Sequence, residues 1–305
     1  MGRRLRRGGV TISSVSIVIP TRNGGATVGP LLETIARQDI DVPVELVIVD
    51  SSSTDGSDAL LRQRADAFVT IPQASFNHGL TRNLGIERSH GDAVVLTVQD
   101  ALPDSHDWLS NLIAPLRADD RVAGAFARQV PRPDAGPLAK RSLARWVASS
   151  TTPRIATLSG ADAFSALTPP QRLDRCAFDN VCSCVRRTVW QRHPFREVPI
   201  AEDLAWAKDV LLAGHAVAFA PDAVVVHSHE RSPQYEFERT RLLHAELYKL
   251  FGLQTIPSLP SLARSIAATI ADHARVEPGA RGFQLAVAWP LGQYLGARAA
   301  AGAKM

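Results

Sequence analysis

Cysteine is scarce: the 305 residues include three, Cys176, Cys182 and Cys184, an odd number without paired metal-ligand spacing. That scarcity excludes a disulfide-stapled scaffold and a structural zinc cage, and it agrees with free thiols in a reducing cytoplasm. No apolar run reaches the roughly 18 residues of a membrane span, so no transmembrane helix is expected. The first apolar segment, Val15 to Ile19, is too short for a signal peptide and carries no cleavage pattern. No Gly-x-Gly-x-x-Gly follows the first predicted strand, which disfavours nicotinamide-dependent hydride transfer, and no dedicated triphosphate loop is visible. Internal repeats and long low-complexity tracts are also missing.

What remains is an ordinary globular composition, 45% hydrophobic and 21% charged, long enough for one large domain or one domain plus an extension. The net charge of +4 and pI near 9.2 are mildly basic. Arg3, Arg4, Arg6 and Arg7 supply part of that charge in a tail spanning 1–13, read as a solvated terminus, with contact to anionic lipid as the alternative. No nucleic-acid partner is expected.

Short apolar runs alternate with helical periodicity. Strands are expected at Val15–Pro20, Val44–Asp50, Ala67–Ile71 and Ala93–Val98, with helices from Thr27 to Gln38 and Leu80 to Ser89. This alternation implies α/β architecture with a mostly parallel central sheet and right-handed crossovers. After Pro133 the pattern weakens. An amphipathic helix is expected over Leu138–Ser149, a Ser/Thr/Pro-rich loop to about Leu173, and a strand over Phe178–Val185. A helix follows from Glu202 to Ala213, closed by Gly214, and then strands at Ala216–Ala220 and Ala223–Val226. Beyond Pro233 two apolar stripes (Phe237, Leu243, Leu247, Leu250; Leu259, Leu262, Ile266, Ile270) indicate a helical C-terminal extension. Those stripes are expected to pack on the domain or on a second copy, with peripheral membrane contact as the alternative.

Two strand ends carry carboxylates, Asp50 and Asp100. In an open α/β sheet ligands bind outside the carboxyl ends of the strands, so Asp100 stands where a metal or charged ligand would be held. Capping of the turn before Pro103 is the competing explanation. His227 and His229 end another strand and are candidate ligands with Asp100 for Mg²⁺ or Mn²⁺, or an exposed polar pair. Glu202 and Asp203 open a helix, where the dipole favours acids, yet either could take a proton from an attacking hydroxyl. Asn77 and Arg82 combine a helix start with a guanidinium, a natural diphosphate seat or a capped helix with a surface arginine.

Six segments in order resemble family 2 glycosyltransferases. They are Val-Ser-Ile-Val-Ile-Pro-Thr-Arg-Asn (15–23), Val-Ile-Val-Asp-Ser-Ser-Ser-Thr-Asp-Gly (47–56), Thr-Arg-Asn-Leu-Gly (81–85), Gln-Asp-Ala (99–101), Ala-Glu-Asp-Leu-Ala-Trp (201–206) and Val-His-Ser-His (226–229). Phe-Asn-His-Gly (76–79) and Gln-Asp-Ala-Leu-Pro (99–103) bring it nearest to bacterial rhamnosyltransferase-type members. The resemblance covers roughly residues 13–232 and implies a GT-A fold, with a nucleotide-sugar-binding half at 14–130, an acceptor and catalytic half at 131–232, and the helical extension at 233–305. It further implies a nucleoside-diphosphate sugar donor, inverting displacement, and a glycan or lipid-linked acceptor of bacterial surface polysaccharide, handled in the cytoplasm or at the inner face of the membrane.

Carried over by position, Pro20, Arg22 and Asp50 line the nucleoside pocket, Asp55 orients its loop, and Arg82 sits near the diphosphate. Asp100 matches the second acid of a metal-binding Asp-x-Asp, Asp203 the general base, and His227 the late metal ligand, with His229 competing. The chain departs from the family at Gln99 and Ala101, where acids are usual. Gln99 can reach ribose or a metal-bound water but cannot neutralise charge. That departure keeps open a non-catalytic nucleotide-sugar-binding or scaffold protein on the same fold. A nucleotidyltransferase is the third reading.

Overall fold

A computed structural model describes residues 11–303; the arginines of the expected tail lie outside the described residues. β1 (Val15–Thr21), β2 (Val44–Asp50), β3 (Ala67–Thr70) and β4 (Ala93–Thr97) form a parallel block in the order β3-β2-β1-β4. Val15 stands opposite both Val44 and Ala93, so these strands finish along one edge. β1 and β4 are buried on both faces, which is why they read as unbroken apolar runs rather than alternating ones. Helices Gly25–Ala36, Ser57–Arg64 and His78–Glu87 are the crossovers. The last lies so close to the sheet that a Cβ on Gly85 would collide with Val18 and press on Val49.

The remaining strands are β5 (Leu102–Pro103), β6 (Val122–Val130), β7 (Arg154–Thr157), β8 (Cys182–Arg186) and β9 (Ala216–Val226). β8 runs antiparallel between β4 and β6, joining everything into one nine-stranded sheet of order β3-β2-β1-β4-β8-β6-β9-β5, with β7 paired to β9. Six strands point one way and β5, β7 and β8 the other. The expected mostly parallel sheet is therefore present, with antiparallel partners added in its second half.

Several local expectations are corrected. β6 and the helix Trp108–Ala118 were not expected, although that helix buries Trp108, Leu109, Leu112, Ile113 and Leu116. β6 is rich in small residues and lacks a strand-like apolar run, because Trp206 and Phe178 fill the space beside Gly124. The helix expected over Leu138–Ser149 stops at Ala144, and a 3-10 turn covers Val147–Ser149. The expected loop up to Leu173 contains β7 and the helices Ala161–Ala166 and Pro169–Arg175, the latter started by a Thr168–Gln171 capping box. The strand expected from Phe178 begins at Cys182, and the two expected after Ala216 are the single strand β9, with a register shift around Pro221.

The C-terminal extension is three helices, Pro233–Phe251, Leu259–Val276 and Ala280–Gly302. Leu243, Leu247, Leu250 and Phe251 of the first join the core cluster around Phe126, Phe178 and Trp206. Gly292 and Gly296 of the last abut the backbone of the first at Phe237 and Arg241. No described helix is long and apolar enough to cross a membrane.

Candidate active site

The C-terminal ends of β1, β2 and β4 open onto a cleft of about 370 Å³. Pro20, Arg22, Arg82 and Gln99 line it as expected, joined by Thr21, Ser51, Gln73, Phe76, His78 and Val98. Asp50, Asp55 and Asn77 do not line it; they build its walls. Asp50, only 2% exposed, accepts from Thr21 Oγ1 at 3.2 Å and from the Ser53 amide at 2.9 Å, holding the loop after β2. Asp55 accepts from the amides of Gly25 (2.9 Å) and Ser57 (3.1 Å), tying that loop to the first helix. The Ser57 hydroxyl, which also donates to Asp55, and then these amides hold its carboxyl below the ordinary range. Asn77 is the N-cap of helix His78–Glu87, accepting from Gly79 (3.0 Å) and Leu80 (3.1 Å). Gln99 is also tied to the loop that follows β1. Its amide accepts from Arg22 N at 2.8 Å and donates to Arg22 O at 2.9 Å, so the side chain is spent on positioning the β1 loop.

Arg82 is buried under the cleft. It donates to Glu202 Oε1 (2.9 Å), His78 O (3.1 Å) and Asn180 O (3.1 Å). Asn180 Nδ2 donates to the same Glu202 oxygen at 3.2 Å. Glu202, expected as a catalytic candidate, is thus the counter-ion of a buried guanidinium and not a free proton acceptor. The adjacent Asp203 is different. Its Oδ2 accepts from the Asn180 amide at 3.2 Å and its Oδ1 from Leu204 N at 2.7 Å. Burial first, and then the charges of Glu202 and Asp179, push the Asp203 carboxyl well above its ordinary value.

Asp100, His227 and His229 converge at a corner beyond β4 and β9, with one ligand atom from each lying within 4.8 Å of the others. His229 Nε2 is 3.5 Å and His227 Nε2 3.8 Å from Asp100 carboxylate oxygens. The proton positions follow from Gln129. Its Nε2 donates to Asp179 Oδ2 at 2.7 Å, leaving Oε1, 3.2 Å from His227 Nδ1, as an acceptor. His227 therefore keeps its proton on Nδ1 and presents a bare Nε2, only 3.0 Å from His229 Nε2. Burial holds His227 down at about 4, with Asp100 opposing and His229 adding to the fall; burial likewise lowers His229. Two imidazoles and one carboxylate gathered within 4.8 Å are a donor set that suits a divalent cation once His229 carries its proton on Nδ1.

Two hydrogen-bonded groups meet at the Asp179–Asn180 peptide, and Asp100 lies 3.5 Å from His229 at the end of the second. Arg82, Glu202, Asn180 and Asp203 meet on one side, and Asp179, Gln129, His227, His229 and Asp100 continue on the other. The stretch Asp179–Asn180 joins them, and sequence reasoning missed both residues along with Gln129. Their only signal was position, just ahead of β8 and near the end of β6. Among the described residues, the non-glycine positions with positive φ are Asn23, Ser52 and Ala201. The first two follow cleft-lining residues and the third precedes Glu202, so backbone strain gathers around the same place.

The profile of Glycosyl transferase family 2 matches residues 16–168. The chain is 30% identical over 238 residues to the O-antigen chain rhamnosyltransferase WbaN of Salmonella anatum, covering 76% of this chain and 72% of that one. It is 29% identical over 245 residues, with the same coverage, to the O-antigen chain rhamnosyltransferase RfbN of Salmonella typhimurium. In fold it is similar to the mannosyltransferase PcManGT of Pyrobaculum calidifontis, solved with GDP-Man and Mn²⁺, at TM-score 0.61 and 21% identity over 97% of this chain and 88% of that one. Glucosyl-3-phosphoglycerate synthase of Mycobacterium tuberculosis, solved with Mg²⁺ and UDP, superposes at TM-score 0.55 and 16% identity, over 81% and 83% of the two chains. The architecture is the GT-A fold.

Proposed function

Because the chain belongs to glycosyl transferase family 2 and is a glycosyltransferase, we propose that it moves rhamnose from dTDP-rhamnose onto a glycan or lipid-linked acceptor of bacterial surface polysaccharide, with inversion. The observation that carries this reading is the shared Asp179–Asn180 stretch, which sets the cleft, Asp203 and the Asp100–His227–His229 corner side by side. The cleft takes the nucleotide, with Pro20, Arg22, Ser51 and Gln73 around the nucleoside and Arg82 beneath the diphosphate. Glu202 is a positioning residue that keeps Arg82 in place.

Asp203 is the base. A hydroxyl is a weak nucleophile until a group within hydrogen-bond reach accepts its proton, and a carboxyl pushed upward by burial accepts one more readily than an exposed aspartate. Asp100, His227 and His229 are the residues that would hold Mg²⁺ or Mn²⁺, which when bound stabilises charge on the departing diphosphate. Gln129 fixes His227 with Nε2 outward. Since Gln99 is bonded to Arg22, Asp100 carries the acidic share of that site alone. The protein works in the cytoplasm in this reading, where the buried thiols of Cys176, Cys182 and Cys184 stay reduced.

A thermal-shift panel of dTDP-, UDP- and GDP-sugars, each with and without Mn²⁺, tests the donor assignment. Selective, Mn²⁺-dependent stabilisation by dTDP-rhamnose is expected; an equal shift with the other nucleotides, or none, overturns it. Slow hydrolysis of the bound donor without acceptor distinguishes the enzyme from a scaffold that only binds.

A further inference from the structure

A second concavity, of about 470 Å³, lies between the 3-10 turn Val147–Ser149 and the helix Pro169–Arg175. Its size falls within the roughly 300–1,000 Å³ typical of small-molecule sites. Trp146, Leu173 and Leu253 give it apolar walls, while Arg145, Asp174 and Ser150 give it a polar rim. Arg145 is exposed and has no ion pair among the described residues. Asp174 is steadied on one oxygen by Arg154 at 2.7 Å.

Trp146 is held in place. Its indole N–H donates to Asp179 at 2.6 Å, and its backbone is extended (ψ 144°), where the helix that ends at Ala144 has broken. The next residue, Asn180, donates its amide to Asp203 at 3.2 Å. The indole ring and the proposed base are thus anchored by consecutive residues of one segment. A pyranose offers an apolar C–H face and a rim of hydroxyls; an aromatic wall edged by a guanidinium, a carboxylate and a hydroxyl matches both.

We infer that this groove is the acceptor subsite, taking a saccharide residue of the acceptor glycan with its ring against Trp146. It rests on the transferase reading above and adds the position and chemistry of the second substrate. Asp179 sets the pitch of the indole, and the adjacent Asn180 holds Asp203. Arg145 and Asp174 grip its outer hydroxyls.

Saturation-transfer NMR titration of the full chain with methyl α-L-rhamnopyranoside, methyl α-D-mannopyranoside and methyl β-D-galactopyranoside tests this. At least one glycoside should bind, Trp146→Ala should weaken it about tenfold, and Arg145→Ala about threefold. Leu173→Arg fills the groove while leaving the Trp146–Asp179 bond intact, and should also abolish binding; thermal melts confirm that each variant folds. The inference fails if no glycoside binds, if binding survives both Trp146→Ala and Leu173→Arg, or if dTDP with Mn²⁺ displaces the sugar from the wild type. Loss of the dTDP-rhamnose shift sinks the transferase reading itself, whereas a persistent shift without glycoside binding sinks the groove alone.

Discussion

The cleft on the parallel strands and the corner beyond β9 are built on opposite electrostatic terms. Many polar groups of the cleft and its walls already have a protein partner: Asp50 has Ser53, Asp55 has Gly25, Gln99 has Arg22 and Arg82 has Glu202, while the buried Ser51 Oγ and Arg82 Nε have none. At the corner the groups are held away from their preferred state. His227 and His229 are pushed down by burial, and Asp179 and Asp203 beside them are pushed up chiefly by it. The cleft thus leaves two buried polar atoms unsatisfied, and the corner leaves ionisable groups poorly solvated. Folding therefore shapes the cleft, while burial displaces the ionisable groups around the corner from their ordinary protonation.

The largest effect that separates the two regions belongs to Asp203→Asn. Transfer should fall roughly 100- to 10,000-fold, the usual worth of a general base, while nucleotide titration finds the donor bound as before. Its melting temperature should hold or rise, because a poorly solvated like charge has been removed. Equal loss of transfer and donor binding would refute the assignment.

Glu202→Gln should do the reverse. It strands a buried guanidinium and should cost about 3–5 kcal/mol in denaturant unfolding, the usual penalty for breaking a buried pair. An unchanged unfolding midpoint would mean that Arg82 finds water or another partner.

Titration sharpens the contrast further. The basic form of Asp203 is lost as pH falls through its raised value, so the acid limb of kcat should lie well above the roughly 3.9 of an ordinary aspartate. A pH–rate profile that stays flat into that ordinary range would contradict the burial argument. The smallest effect belongs to Gln99→Ala, which removes two hydrogen bonds to the Arg22 backbone. A stability loss of about 1–2 kcal/mol and a modest rise in donor KM are expected, with kcat unchanged. A large fall in kcat would instead place Gln99 in contact with the reacting diphosphate.

Much of the first half was legible from residues alone. β1, β2 and β4 are largely apolar because both faces are covered, and Asp50 at the end of β2 and Asp100 just past β4 mark the ligand edge. β6 was not legible, since Ala123, Gly124, Ala125 and Ala127 carry little strand signal, and Gly124 is small because Trp206 and Phe178 fill the space beside it. The segment after Pro133 looked like loop because its helices are short and its one outer strand, β7, has a single partner. Within the site, residue type alone left Asp203 and Glu202 alike and the family resemblance pointed to Asp203; only the structure pairs Glu202 with Arg82.

Local pattern by itself determined the α/β class, the edge where ligands gather and the residue types that gather there, because strand burial and helix periodicity are written in short-range spacing. Tertiary structure alone decided which acid is paired and which is left reactive, which nitrogen of His227 is bare, and that Asp179, Asn180 and Gln129 tie the halves together. Those outcomes depend on contacts between residues roughly 50 to 120 positions apart, and a carboxylate's behaviour is set by what surrounds it in space rather than by what precedes it in the chain.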